Sequence, residues 1–403
     1  MRSIAIAGAS LAGLHAARAL RAEGHTGRLV LIGAEAARPY DRPPLSKHFL
    51  LEHGAPEEAP WLEENPQVLD VEWRLGRCAR ALDLARREIH LDGGESIAFD
   101  GLVIATGASP RRLPMNDAAG VHVLRGLEDA RALRADLAAR PARVAIVGAG
   151  FIGLEVAASC RRLGLDVTLI EPAPVPLARL LGEPMGCVIT ELHRQQGVDL
   201  RTGVSVAAHE IDAHGRLSAL RLSDGSRVPA TVAVVAIGVS PDTQWLRGSG
   251  LEVADGVLCD ETCLAADGVV AAGDVARWPN VRTGETRRVE HWDNAIRQAR
   301  YAARRLLLGA QRPEAPYAPL PWFWSDQYDR KLQLYGSAIA HDECRVVEGS
   351  AAQGQLIALY RRGDALSAVL CINKARSLPR YRALLERGAP FEEALAASAT
   401  AAT

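Results

Sequence analysis

The sequence predicts an α/β fold with two Rossmann-like dinucleotide-binding domains and a small α+β C-terminal domain. Three observations carry this. The apolar run Arg143–Val147 leads into Gly148-Ala-Gly-Phe-Ile-Gly-Leu-Glu155, which opens the amphipathic stretch Val156–Gly164. The same order of strand, glycines and helix occurs earlier, in Ser3–Ala7, Gly8-Ala-Ser-Leu-Ala-Gly13 and Leu14–Ala22. From about Trp322 the pattern changes to alternating β-like segments and a final helix, as in a small separate domain.

A glycine motif is informative only in this context, between a strand and a helix. Gly148 permits the tight turn, Gly150 lets backbone approach a pyrophosphate, and Gly153 lets helix and strand pack closely. The helix N-terminus, which includes Ile152, offers free N–H groups and about half a unit of positive charge to phosphates. The next strand, Asp166–Ile170, ends at Glu171, where an acid meets an adenosine ribose. In the first unit Ser10 replaces the second glycine and is still small. Its second strand, Arg28–Ile32, delivers Glu35 about twenty residues beyond the glycines, the place of a ribose-binding acid. Two such units imply two dinucleotides, or one dinucleotide and one flavin dinucleotide, held face to face.

The bulk numbers fit this picture. A chain of 403 residues, 48% hydrophobic and 24% charged, is ordinary globular material for about two or three domains. Its net charge of −1 gives no strong attraction to nucleic acid or membrane. Nearly all basic charge is arginine; Lys47, Lys331 and Lys374 are the only lysines, so one inside a motif stands out. The seven cysteines form no C-x-x-C pair, and Cys259 and Cys263 lack a second ligand pair, which argues against zinc. Reduced thiols, no apolar run of membrane length and no leader-like start predict a soluble cytoplasmic protein.

Between the glycine units, prolines in Tyr40-Asp-Arg-Pro-Pro-Leu-Ser-Lys47 predict an irregular loop without helix. Glu52–Pro66 reads as a surface excursion, and Leu102–Gly107 as a buried strand ending at a glycine turn. A helix over Glu128–Ala139 precedes the second unit, and another spans roughly Pro184–Gln196. Val232–Gly238 repeats the strand-and-turn character of Val103–Gly107 and closes that unit. Val269–Ala272 is a strand running into Asp274, followed by a helix from Trp292 to Leu308 and a proline-rich linker, Pro313–Pro321. The last domain contains strands at Lys331–Tyr335, Leu356–Tyr360 and Ala368–Ile372, a helix near Tyr381–Arg387, and an Ala-rich tail after Phe391 expected to fray.

Taken together, the two glycine units, DRPPLSK, the ATG of Ala105–Gly107, the AAGD ending at Asp274 and the run Trp322-Phe-Trp-Ser-Asp-Gln-Tyr328 resemble the FAD-containing, NADH-linked ferredoxin reductases of bacterial oxygenase systems. The resemblance runs through nearly the whole chain in order. It implies FAD bound by residues 1–111 and 239–318, NADH by 112–238, and a C-terminal domain over 319–403. It implies hydride transfer from NADH to flavin, then electrons passed to a ferredoxin serving a haem monooxygenase or ring-hydroxylating dioxygenase.

Residue by residue, the resemblance places Gly8, Ala12 and Gly13 at the FAD pyrophosphate and Glu35 at its ribose. Ala79 falls beside the adenine edge, Thr106 and Gly107 at the first-unit turn, and Arg42 and Arg125 as FAD contacts. Asp274 meets the ribityl or pyrophosphate region, and Trp292 and Trp324 pack on the isoalloxazine, core packing being the rival role for Trp324. Gly148, Gly150, Ile152, Gly153, Glu171 and Gly238 belong to the NADH side. Lys47 matches a lysine near flavin N5, and Glu155, placed in the first turn of its helix, is an ion-pair partner for it; these are the candidate catalytic groups. Arg297, Arg300 and Arg304 share one helix face and could receive an acidic ferredoxin, although a solvated face explains them as well.

Other functions remain open. A flavin disulfide reductase needs a redox cysteine pair near Lys47, and an NADH oxidase or peroxidase needs one cysteine there; neither is present. A rubredoxin reductase or a redox-sensing NADH-binding flavoprotein shares most of the same motifs. Monomer and dimer are both compatible with the sequence. Glu171 decides the nucleotide: a carboxylate ~4 Å from a 2′-phosphate costs roughly 4 kcal/mol at intermediate dielectric. Steady-state titration should therefore give a kcat/KM for NADH above that for NADPH, by up to ~10³-fold. Equal or better use of NADPH would overturn this reading of Glu171.

Overall fold

The computed structural model describes residues 1–51, 61–62 and 69–399. They fall into two compact units, one of residues 1–41, 58–109 and 240–322, the other of 42–57, 110–239 and 323–403.

The first unit is built on a six-stranded sheet with Ser3–Ala7 near its centre. This strand pairs in parallel with Arg28–Gly33 on one side and Gly101–Ile104 on the other. Parallel strands are covered on both faces and therefore read as continuous apolar runs. Ile4, Ala5, Ile6, Val30, Leu31, Leu102, Val103 and Ile104 are all fully buried, as that rule requires. The helix Leu11–Ala22 starts three residues before the expected run, directly after Ser10. The helix Trp292–Leu307 packs against the same core through Ala295, Ala299, Ala302, Ala303 and Leu306.

The second unit repeats the arrangement. Its parallel sheet runs Asp199–Thr202, Asp166–Glu171, Arg143–Val147, Val232–Val235 and Val121–His122. The helix Phe151–Arg162 follows its glycine turn. The element Ala178–Gln195 breaks at Gly182 (φ 79°, ψ 159°), so its regular part starts near Pro184, close to the predicted boundary. Proline is tolerated there because a first-turn N–H has no helical partner to lose.

The unit also holds an antiparallel five-stranded sheet, ordered Trp322–Gln327, Arg330–Gly336, Ala365–Ile372, Gln355–Arg362 and Glu343–Ser350. It shares one hydrophobic core with the parallel sheet, and Tyr360, wholly buried, donates its hydroxyl to Leu181 O at 2.8 Å.

Three expectations need correction. Glu343–Ser350 is an additional strand, hidden because its residues are largely half-exposed and lack apolar alternation. The tail does not fray at Phe391: Phe391–Ala399 is helical, anchored by buried Phe391 and Ala394. Pro43–Ser46 forms one 3₁₀ turn in the expected loop, since adjacent prolines at a helix start lose no hydrogen bond. The predicted excursion Glu52–Pro66 lies outside the described residues except Trp61 and Leu62.

The glycine turns superimpose in logic. A Cβ on Gly8 would sit 2.0 Å from Ala105 O, and one on Gly148 2.4 Å from Ala236 O; both residues have positive φ. A Cβ on Gly13 or Gly153 would lie 1.8 or 2.0 Å from the carbonyl oxygen of Gly8 or Gly148. The middle position differs: a Cβ on Gly150 meets nothing within 4 Å, and the matching place in the first unit holds Ser10. Gly153→Ala should lower folding stability by more than about 2 kcal/mol. Gly150→Ala should lower it by about 1 kcal/mol at most, since alanine fits there and only the weaker N-cap preference of alanine is lost. Thermal or urea unfolding of the two variants checks the contrast.

Candidate active site

The second unit gathers an unusual set of polar side chains inside apolar surroundings. Its organising group is Glu155, only 3% exposed. The residue lies five positions into the helix Phe151–Arg162 and so beyond the first turn, which corrects its expected location. Dipole complementarity fades over that distance, so the carboxylate needs other partners. It has three. Lys47 Nζ donates to Oε2 at 2.7 Å, Ser46 Oγ to the same oxygen at 2.6 Å, and Ser325 Oγ to Oε1 at 2.7 Å.

Local geometry delivers each partner. The 3₁₀ turn Pro43–Ser46 curls so that Lys47 N donates to Pro44 O and its Nζ also donates to Pro43 O at 3.1 Å. Ser159 Oγ donates to Ser46 O at 2.7 Å and pins that turn to the helix. Phe151, Glu155 and Ser159 are four apart, so they share one helix face.

The strand Trp322–Gln327 presents Phe323, Ser325 and Gln327 on one face by its two-residue period. Two residues of strand rise about 6.7 Å and four of helix about 6 Å, so the rows stay in step. Phe323 meets Phe151 edge-on, with ring centroids 4.7 Å apart, and Ser325 meets Glu155.

The third member of the strand row, Gln327, continues inward. Its Nε2 donates to Ser325 Oγ at 3.1 Å, and its Oε1 lies 3.0 Å from His193 Nε2. His193 Nδ1 is 3.0 Å from Tyr328 OH, and the two rings meet edge-on. Burial pushes His193 down to about 4, partly offset by its bond to Gln327. Ser46, Ser325, Gln327 and His193 were not singled out from the sequence. Ser46, Ser325 and Gln327 sit inside the two marked motifs, whereas His193 gave no local signal.

Elsewhere in this unit Glu171 is fixed at the glycine turn. Its Oε2 accepts from Ala149 N at 2.7 Å and its Oε1 from Ala173 N at 2.9 Å. Gly150 caps the helix, Ile152 is exposed at its opening, and Gly238 has φ 92° with its carbonyl accepting from Arg111 N. Arg42 and Arg125 come together: Arg42 Nη1 donates to Arg125 O at 2.7 Å, while Asp129 accepts from Arg125 N and Gly126 N. Trp324, half-buried, lies on the strand face opposite Ser325.

The first unit carries the other candidates, some of them at its own glycine turn. Gly8 abuts the Ala105–Thr106 backbone, and Gly273, beside Asp274, approaches Ala12 closely enough that an added Cβ would lie 3.0 Å from the Ala12 Cβ. Thr106 Oγ1 donates to Asp242 O, and Gly107 accepts from Asp242 N. Tyr40 OH donates to Glu35, Ala79 opens the strand Ala79–Asp83, and Trp292 Nε1 donates to Asp41 at 2.7 Å. Arg297, Arg300 and Arg304 are exposed along one helix face, but Arg297 is paired with Asp293 and Arg304 with Glu23.

All seven cysteines are free thiols. Burial pushes Cys160 and Cys259 up to about 12 and also raises Cys263 well above the usual thiol range. Among the described residues no cluster of His, Cys, Asp and Glu could hold a metal ion, and no helix is long and apolar enough to cross a membrane.

With this geometry in hand, comparison with known proteins is decisive about kinship. Residues 2–299 match the family model for pyridine nucleotide-disulphide oxidoreductases. The chain belongs to that family. Residues 322–402 match the reductase C-terminal model, which covers the antiparallel sheet and last helices.

The chain is 39% identical, over 93% of its length and 90% of the relative's, to the biphenyl dioxygenase system ferredoxin–NAD(+) reductase component of Paraburkholderia xenovorans (strain LB400). It is 33% identical to putidaredoxin reductase CamA of Pseudomonas putida, over 97% and 93%. Among solved structures it is similar to the reductase of the covalent putidaredoxin reductase–putidaredoxin complex, with TM-score 0.90, 32% identity and coverage of 96% and 94%.

Both glycine turns fit a dinucleotide. Their outer glycines are fixed by the chain's own backbone, and in the second turn a Cβ on the middle residue, Gly150, would meet nothing within 4 Å. The free N–H groups of each following helix lie next to its turn.

The buried histidine makes a pH prediction. Its pKa is about 4 folded and the ordinary 6.5 unfolded, so protons favour the unfolded chain between these values. The stability from keeping His193 neutral is complete above about pH 6.5 and is lost as pH falls towards 4, by at most about 3 kcal/mol. Urea midpoints measured from pH 7 to 4.5 should fall less steeply in His193→Gln than in the natural protein.

Proposed function

We propose that the chain is an FAD-containing oxidoreductase that passes electrons from NADH to a ferredoxin. The observation that carries this is the Lys47–Glu155 pair, in a chain whose thiols are unpaired. Within the family, thiol chemistry needs a reactive cysteine; here the buried thiols are held protonated and a cation occupies the corresponding motif. Relatives that match over nine-tenths of the chain are named as a ferredoxin–NAD(+) reductase component and as a putidaredoxin reductase, which supports the same reading.

In this reading residues 1–111 and 239–318 hold FAD, 112–238 hold NADH, and 319–403 form the C-terminal domain. Gly8, Ala12, Gly13, Glu35, Ala79, Thr106, Gly107, Asp274 and Trp292 serve the flavin nucleotide, with Arg42, Lys47, Arg125 and Trp324 as further contacts. Gly148, Gly150, Ile152, Gly153, Glu171 and Gly238 serve NADH. When bound, the flavin takes two electrons from the nicotinamide as hydride and gives them up singly. The protein supplies placement. Glu171, held by two backbone N–H groups, presents a fixed negative charge that favours a ribose hydroxyl over a 2′-phosphate. Lys47 supplies a fixed cation, and Glu155 holds its ammonium in one place.

A ferredoxin acceptor serving a haem monooxygenase or ring-hydroxylating dioxygenase completes the proposal, in the cytoplasm, where thiols stay reduced. Stopped-flow reduction by NADH, followed by reoxidation against a panel of ferredoxins and a rubredoxin, tests it. A ferredoxin should outpace oxygen. Reoxidation fastest with rubredoxin would favour rubredoxin reductase, and no protein acceptor faster than oxygen would leave the redox sensor.

A further inference from the structure

Resting on the reading that Lys47 and Glu155 flank the hydride-transfer site, we infer that Ser325, Gln327, His193 and Tyr328 are positioning residues that aim and hold the Glu155 carboxylate against Lys47.

The hydrogen bonds have only one consistent direction. Gln327 Nε2 donates to Ser325 Oγ, so its Oε1 faces His193. A neutral imidazole has one donor and one acceptor. His193 Nε2 must therefore carry the proton and donate to Gln327, leaving Nδ1 to accept from Tyr328 OH. Ser325 accepts from Gln327 and gives its own proton to Glu155 Oε1. Every dipole in the row points at the carboxylate.

Burial makes the arrangement rigid. Ser325, Gln327 and His193 are all fully buried, so water offers no substitute partner. Burial lowers His193 to about 4 and raises the Tyr328 hydroxyl, so near neutral pH the first stays an uncharged acceptor and the second a donor. Tyr328 has φ 56°, a left-handed conformation that a bulky residue rarely adopts. The strained turn between Trp322–Gln327 and Arg330–Gly336 is what brings its hydroxyl to His193. Lys47 Nζ bonds Glu155, Ser46 and Pro43 O, none of which belongs to this row. Its action on Lys47 passes only through Glu155, whose Oε2 meets Lys47 and Ser46 while Oε1 is held by Ser325.

The small number of lysines gives a direct readout. With ¹⁵N-labelled lysine the holoenzyme shows at most three side-chain ammonium signals, and Lys47→Arg assigns one of them. A hydrogen-bonded, shielded ammonium exchanges slowly with water. In Ser325→Ala the exchange of Lys47 should speed up about tenfold, the loss expected when a bond to a charged group is removed. The limiting rate of flavin reduction by NADH should fall by about tenfold while the half-saturating NADH concentration changes less than about twofold. His193→Leu should behave similarly, because Gln327 loses the partner that orients it. His193→Gln keeps one donor and one acceptor, and should restore both readouts to within about twofold of the natural protein.

Lower melting temperatures in Ser325→Ala and His193→Leu, with Lys47 exchange and the reduction rate unchanged, would make the row merely structural and overturn the inference. Failure of His193→Gln to restore either readout would also overturn it. If NADH does not reduce the natural protein, the proposed function fails, and Lys47 exchange alone still decides whether the row positions the pair.

Discussion

A carboxylate buried to 3% exposure must be satisfied or it destabilises the fold, and Glu155 sets that requirement for its whole unit. Isolated charge in an apolar interior costs many kcal/mol, so partners have to be brought from distant parts of the chain. They come from the turn after Pro43–Pro44 and from a strand that starts at Trp322. Removing one partner of such a pair typically costs about 3–5 kcal/mol, whereas replacing both by apolar groups can be neutral. Stability alone therefore gives little reason to keep the pair, and a functional reason is the better account of it.

The same constraint explains the antiparallel sheet in this unit. Ser325 and Gln327 lie on the inward face of its first strand, and the sheet shares its core with Phe151–Arg162 and the parallel strands. Its placement satisfies Glu155 while Tyr360, bonded to Leu181 O, ties the sheet to the kinked helix. Helix and strand advance at similar rates when four helical residues face two in a strand, so both the aromatic and the polar contact repeat without strain.

The duplicated glycine turns show a different kind of constraint. Their outer positions are dictated by the chain's own carbonyl oxygens, which leave no room for a Cβ. At the middle position the two copies differ, with Ser10 in one and Gly150 in the other, and a Cβ on Gly150 would meet nothing within 4 Å.

Much of this was legible in the sequence, because strand periodicity, glycine spacing and the terminal acids are local properties. Both βαβ units, Glu171 beside its turn and the likeness to ferredoxin reductases follow from residues close together in the chain. Lys47 and Glu155 were paired from the family's pattern rather than from spacing, since 108 positions separate them. The 3₁₀ turn, the tail helix and the strand Glu343–Ser350 were missed because their stability comes from packing rather than from local pattern. His193 was invisible for the same reason: one histidine in an amphipathic helix looks like any other. Its neutral state, its proton on Nε2 and its place in a row ending at Glu155 arise only when Gln327 and Tyr328 are brought to it by the folded sheet. The sequence alone determined which chemistry was available; the tertiary structure decided which buried groups must satisfy one another, because hydrogen bonds in a dry interior depend on contacts that no sequence interval encodes.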